Sequence, residues 1–214
     1  MEAFQINEER WNKIKDLPLG NGLGTLDKEL CIMQAVDYVT SGGLTDSPAC
    51  SCPILSRYAI RINDAFNAEH RKSLKPLIPL LVGTAIDDAA VKIRRKQFLM
   101  FRNVTATYPI ILDLIKLPEL AEKLRTFQNT AESMKEAAEW LKENVAAIKK
   151  AANADADANA YADANAYAYA NAYAYAYANA YADAYAYADA DANAFREKLA
   201  VFAVETLRLA CAIK

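Results

Sequence analysis

ANADADANAYADANAYAYANAYAYAYANAYADAYAYADADANA (152–194) decides how the C-terminal half of this 214-residue chain is read. Every even position is Ala, every odd position is Asn, Asp or Tyr, and nine of the twelve tyrosines lie here. Alternation with period two ordinarily marks a β-strand. Taken literally it demands one strand of 43 residues, against roughly 3–10 in ordinary sheets. The tract has no Gly or Pro to fold it into hairpins, and Ala, Asn and Asp are poor strand formers. Alanine at half the positions is the strongest helix former available. The composition therefore predicts helix over the period, roughly 65 Å long if unbroken, as one rod or as a hairpin broken at an asparagine. The Asn, Asp and Tyr codons share their second base and a pyrimidine third base, so slippage of a short repeat unit also accounts for the pattern.

A helix turns this alternation into rows four residues apart. One row runs Tyr161, Asn165, Tyr169, Tyr173, Tyr177, Tyr181, Tyr185, ending in aspartates on both sides. The other mixes Asn, Asp and Tyr. Rows of this spacing drift around the axis, so the tyrosines wind, with small alanines between them that admit a neighbouring helix. Tyr169, Tyr173, Tyr177, Tyr181 and Tyr185 are the candidate self-association residues, since tyrosine buries a large ring while its hydroxyl keeps a hydrogen bond.

Outward from the tract, 96 residues from Glu119 to Lys214 contain no Gly or Pro, whereas all six glycines lie at or before Gly83. Region 1–118 is therefore segmented by turns and 119–214, including the Ala-x repeat 152–194, is built of long helices, and the two are expected to form one cooperative domain. Helices are expected over 27–39, from Pro53 with Ser51 or Cys52 as cap, over 85–108, and over 195–214, where FREKLAVFAVETLRLACAIK is amphipathic and returns to the core. LKPLIPLLVGT (74–84), with two prolines, reads as a short or kinked core helix. The fold class is all-α: a multi-helix globular core, a long Ala/Tyr-rich helix or helical hairpin, and a C-terminal return helix.

The net charge of −2, from 25 basic and 27 acidic residues, argues against a basic nucleic-acid-binding coat. No run of 18 apolar residues predicts a membrane span, and the first residues lack the basic-then-apolar order of a signal peptide. A cytoplasmic protein with free thiols is the expectation for Cys31, Cys50, Cys52 and Cys211.

Three constellations carry candidate chemistry. Cys31, Cys50 and Cys52 are the one set able to hold zinc, with Asp46 or water as fourth ligand. Their spacing departs from paired Cys-x-x-Cys, and free cysteines are commonly buried, so structural thiols without a cofactor are favoured. Arg57, Arg61 and Asp64 share a helix face suited to clamping a small anion or to an ion pair between helices. Lys92, Arg94, Arg95 and Lys96 form a second basic cluster, and Arg71, Lys72 and Lys75 a third. GNGLG (20–24) matches neither nucleotide-binding fingerprint and reads as a flexible connection. Asp87 and Asp88 diverge by about 100° on a helix and do not form a carboxylate pair. With His70 the sole histidine, Ser-His-Asp and Cys-His catalysis lack an assured partner.

LCIMQAVDYVTSGGLTDSPACSCPILSRYAIRINDA (30–65), followed by LIPLLVGT (77–84), resembles a family of bacterial and phage proteins of unassigned activity. The family's Cys-x-Cys-Pro loop falls on Cys50, Cys52 and Pro53, its Ile-Pro-x-Leu-Val-Gly-Thr segment on residues 78–84, and many members end in an alanine-rich tail. The resemblance covers roughly residues 17–105. Gln34 stands where the family carries Glu and Ser47 where it carries His, so it implies neither a catalytic carboxylate nor a zinc ligand there. A phage origin implies an accessory role.

Three classes follow. The first is a non-enzymatic helical interaction protein forming a homo-oligomer through its Ala/Tyr helix. The second is a module binding a phosphate-bearing nucleotide-type ligand through Arg and Tyr side chains. The third is a metal-dependent enzyme centred on Cys31, Cys50 and Cys52.

Overall fold

A computed structural model describes residues 4–114, 116–154 and 192–214. Most of the Ala-x tract, with the five candidate tyrosines, lies outside the described residues. Those described are all-α, with pairing between strands confined to two isolated bridges, Leu19 to Leu30 and Thr25 to Glu29. The helices are α1 (Glu8–Ile14), α2 (Ile32–Thr40), α3 (Pro53–Ala65), α4 (Ala68–Arg71), α5 (Ile78–Leu81), α6 (Ala89–Arg102), α7 (Tyr108–Leu114), α8 (Pro118–Arg125), α9 (Ala131–Ala154) and α10 (Ala192–Cys211). A 3-10 segment, Lys72–Leu77, leads into α5, and a π turn, Asn103–Thr107, joins α6 to α7.

The chain divides into two compact units, residues 1–96 with 203–214, and residues 97–202. In the first, α2 is the central element: Ile32 through Val39 are all buried, and it packs against α1, α3 and α5. A helix buried all round needs apolar residues on every face, and Ile32, Met33, Ala35, Val36 and Val39 supply them. The helix expected over 27–39 starts only at Ile32. Before it, the backbone of Leu30 bonds that of Pro18 and Gly20, a pairing that outweighs the helical propensity of residues 27–30. Leu55, Tyr58 and Ile62 of α3, with Leu74, Leu77 and Leu81, complete this core.

Proline places two further boundaries. Pro53 occupies the first position of α3 with Cys52 as cap, where its missing N–H costs nothing. Pro76 lies inside the 3-10 segment and Pro79 in the first turn of α5, so 72–81 is the short, broken helix the sequence implies. Gly83, with φ +74°, ends it. The helix expected over 85–108 begins instead at Ala89, because the Asp88 carboxylate accepts the N–H groups of Ala90 and Val91, at 2.7 and 3.2 Å. It also continues past Tyr108 to Leu114 through the π turn. Pro109 cannot donate and its ring crowds the preceding turn, and a π turn is one way a helix absorbs such a residue.

In the second unit α7 and α8 pack together with the π turn. Val104, Tyr108, Ile111, Leu112, Ala121 and Leu124 are buried, and Arg125 on α8 pairs with Asp113 on α7. The last helix begins before the residue expected, at Ala192. Leu199, Ala200, Ala203, Leu207 and Ala210 form its buried stripe at three- and four-residue spacing.

The first unit also buries a charge. Arg95 of α6 is 1% exposed. Its Nη1 donates to the Thr84 carbonyl at 2.6 Å and its Nε to the Ile213 carbonyl at 3.1 Å. Its neighbour Arg94 is exposed and donates from Nη2 to the Lys214 carbonyl at 2.6 Å. Thr84 is itself held: its hydroxyl donates to Leu81 O at 2.7 Å and accepts the Cys52 N–H at 3.0 Å. Arg95 thus joins the turn after α5 and the end of α10 to α6. Arg95→Met, of similar length, would leave the buried Thr84 carbonyl and the half-buried Ile213 carbonyl without their donor. We expect a loss of about 2–4 kcal/mol in stability, read from the midpoint of urea unfolding at unchanged slope.

Candidate functional site

Cys31 caps α2 in extended conformation, and the α2–α3 connection, Ser41 to Ser51, carries Cys50. Cys31, Cys50 and Cys52 are all buried free thiols, while Cys211 near the end of α10 is half-buried. Burial raises the Cys31 thiol pKa, the carboxylates of Asp64 and Asp46 add to this, and the N–H groups of Met33 and Gln34 oppose it. Burial also raises the Cys50 thiol, opposed by its hydrogen bond with Thr40 Oγ1 at 3.5 Å. The Cys211 thiol is pushed up to about 12, chiefly by burial, with the Arg95 charge pulling the other way. A thiol is nucleophilic and metal-ligating as the thiolate, and each of these shifts disfavours that form. Among the described residues, no group of three His, Cys, Asp or Glu side chains comes together to hold a metal ion.

Where the sequence suggests a flexible GNGLG connection, the structure has a latched loop. Gln34, buried in the first turn of α2, accepts the N–H of Gly24 at 2.8 Å and of Cys31 at 3.1 Å on Oε1. Its Nε2 donates to the carbonyls of Gly24 and Leu44, at 3.4 and 3.2 Å. From α3, Asn63 Nδ2 donates to Gly20 O at 2.8 Å and Asp64 Oδ1 accepts the Gly22 N–H at 3.2 Å. Gly22 has φ +74°, a conformation most side chains resist. At Gly24 a Cβ would lie 1.9 Å from Glu29 O, so only glycine fits.

Asp64 therefore serves the glycine loop, while Arg57 and Arg61 lie exposed on α3. Arg94 and Arg95 reach backbone carbonyls, as described. In the third basic cluster, Arg71 Nη1 donates to Phe66 O at 2.7 Å, Lys75 Nζ to Lys15 O at 2.8 Å, and Lys72 pairs with Glu69. Lys92 pairs with Asp87 at 3.3 Å. These residues hold backbone and neighbouring carboxylates, so the arrangement fixes loops and helix ends. Sequence reasoning missed Gln34, Asn63 and buried Arg95 as organising residues. The spacing Cys31-x-x-Gln34 was the available signal for the first, since a Gln three residues after a cap reaches back to the cap's N–H.

With a charged aromatic disulfide reagent at pH 8, we expect Cys31 and Cys50 to react at the rate of global opening and all four thiols to react at once in denaturant. Fast labelling of either residue in the folded protein would contradict the burial. Below pH 9.0 the Cys211 thiol stays protonated folded and unfolded. Between pH 9.0 and about 12 it ionises only in the unfolded chain, so folding loses stability across that window. Cys211→Ala should give a shallower fall in unfolding free energy there. Compared with protein-family models, curated proteins and solved structures, the chain gives no match.

Proposed function

We propose that this is a non-enzymatic helical interaction protein that self-associates through the tyrosine row Tyr169, Tyr173, Tyr177, Tyr181 and Tyr185. The observation that carries the reading is the four-residue spacing of these tyrosines in a tract where every second residue is alanine. On a helix that spacing gathers the rings into one winding row, and rings left in water favour contact with another apolar surface. The described ends of the tract support helical spacing: α9 runs through Ala154 and α10 starts at Ala192. The six aspartates of the tract repel across a parallel in-register pair, so an offset or antiparallel contact between copies is favoured. The engagement of Arg94, Arg95 and Asp64 with backbone lends no comparable support to an anion clamp.

Changing Tyr173, Tyr177 and Tyr181 together to Ala removes ring surface and raises helix propensity. We expect unchanged or greater helix content by circular dichroism and a lower mass by light scattering. Wild-type protein that is monomeric at tens of micromolar, where an interface with a Kd near about 1 μM would be filled, refutes self-association.

A further inference from the structure

The glycine loop of the first unit carries the one Asn-Gly pair in the chain, Asn21–Gly22. Covalent connectivity makes its nucleophile and electrophile neighbours. Attack of the Gly22 backbone nitrogen on the Asn21 side-chain carbonyl carbon closes a five-membered imide ring and expels ammonia. In most sequences the side chain of the following residue crowds that approach, and glycine has none. Every asparagine of the Ala-x tract is followed by alanine, so the chain holds its own less reactive comparison.

The tertiary structure adds a base. Both peptide units around Asn21 are held from α3, while Asn21 itself is exposed. Asn63, fully buried, donates from Nδ2 to Gly20 O at 2.8 Å, and Asp64 Oδ1 accepts the Gly22 N–H at 3.2 Å. A Cβ built on Gly22 would meet nothing within 4 Å, so no neighbouring element crowds the residue. An amide nitrogen attacks only as it gives up its proton, and a base serves only within hydrogen-bond reach of that proton. The Asp64 carboxylate occupies that place.

We infer that Asn21–Gly22 is a self-modifying site, in which Asp64 takes the Gly22 amide proton as the imide forms. The new bond joins Gly22 N to Asn21 Cγ and the Cγ–Nδ2 bond breaks. The proton taken by Asp64 passes to the leaving nitrogen, which departs as ammonia. Solvent water then opens the ring at either carbonyl, giving aspartate or isoaspartate at position 21. The imide nitrogen carries no hydrogen, so Asp64 loses the donor that latches the loop. Either hydrolysis product places a second negative charge near Asp64, which repels it, and isoaspartate lengthens the main chain by a methylene. The modification thus frees the loop tip from Asp64, while Gln34 still holds Gly24. This site lies outside the tyrosine tract and does not rest on self-association.

The test follows the folded full-length protein by peptide mapping, for a mass gain of about 1 Da, and by isoaspartate-specific enzymatic methylation. The peptide containing Asn21 should convert ahead of every other, at a rate nearly constant between about pH 6 and 8, because the protein carries the base. Asp64→Asn keeps an acceptor for the Gly22 N–H but no base, and should slow conversion at least about tenfold at unchanged circular dichroism. Asn21→Gln, which would need a six-membered ring, should abolish the signal. A folded wild-type rate that climbs about tenfold per pH unit overturns the inference, since hydroxide then supplies the base. An Asn21 peptide still unmodified when the urea-unfolded chain has fully converted overturns it too. So does an Asp64→Asn variant that reacts as fast as wild type or faster, because Asp64 would then be a latch alone.

Discussion

A guanidinium cannot leave water cheaply, and Arg95 does so completely. Burial of an unsatisfied charge costs far more than one hydrogen bond returns, so its environment must supply acceptors in fixed places. Thr84 and Ile213, 129 positions apart in the chain, supply their carbonyl oxygens. The first lies in the turn after α5 and the second two residues beyond the end of α10. Thr84, fixed on one side, receives the Cys52 N–H on the other, so the start of α3 takes its place from the same interaction. Ser51 and Ser56 extend this as a buried hydroxyl chain, with Ser56 donating to Ser51 at 3.0 Å.

The same economy operates at the front of α2 with neutral groups. Gln34 presents one acceptor and two donors and uses them on Gly24, Cys31 and Leu44. Asn63 and Asp64 do likewise for Gly20 and Gly22. Loops rarely fold back onto a core because their backbone groups need partners. Side chains from α2 and α3 provide them here. The consequence is a surface in which the glycine loop keeps its shape while Leu23 remains in water.

Much of the fold was legible in the residues that restrict the backbone. Pro53 marks a helix start and Pro76 with Pro79 a broken helix, since proline's limits act locally and hold in any surroundings. Asp88 as a cap was legible in principle but was read as lying inside a helix expected over 85–108. The start of α2 was less accessible: residues 27–30 have acceptable helix propensity, and only pairing of Leu30 with Pro18 and Gly20 pulls them out. The π turn before Pro109 needs the continuation of α6 into α7, which no short window reveals. At the candidate site, the burial of Cys31, Cys50 and Cys52 follows from ordinary thiol behaviour. The roles of Gln34 and Asn63 depend on loops that are distant in sequence.

The sequence by itself determined the all-α class and the proline- and glycine-marked ends of elements, because propensity and steric restriction act within a few residues. Arg94 and Arg95 show what it could not decide. The two are chemically identical neighbours, yet one is exposed and the other nearly inaccessible. Successive helical residues point about 100° apart, so which arginine enters the core depends on which face of α6 is covered. That is settled by the turn at Thr84 and the chain end at Ile213 arriving beside it. Tertiary structure alone brings those acceptors to one guanidinium, since hydrogen-bond partners so far apart in the chain leave no periodic trace in the sequence.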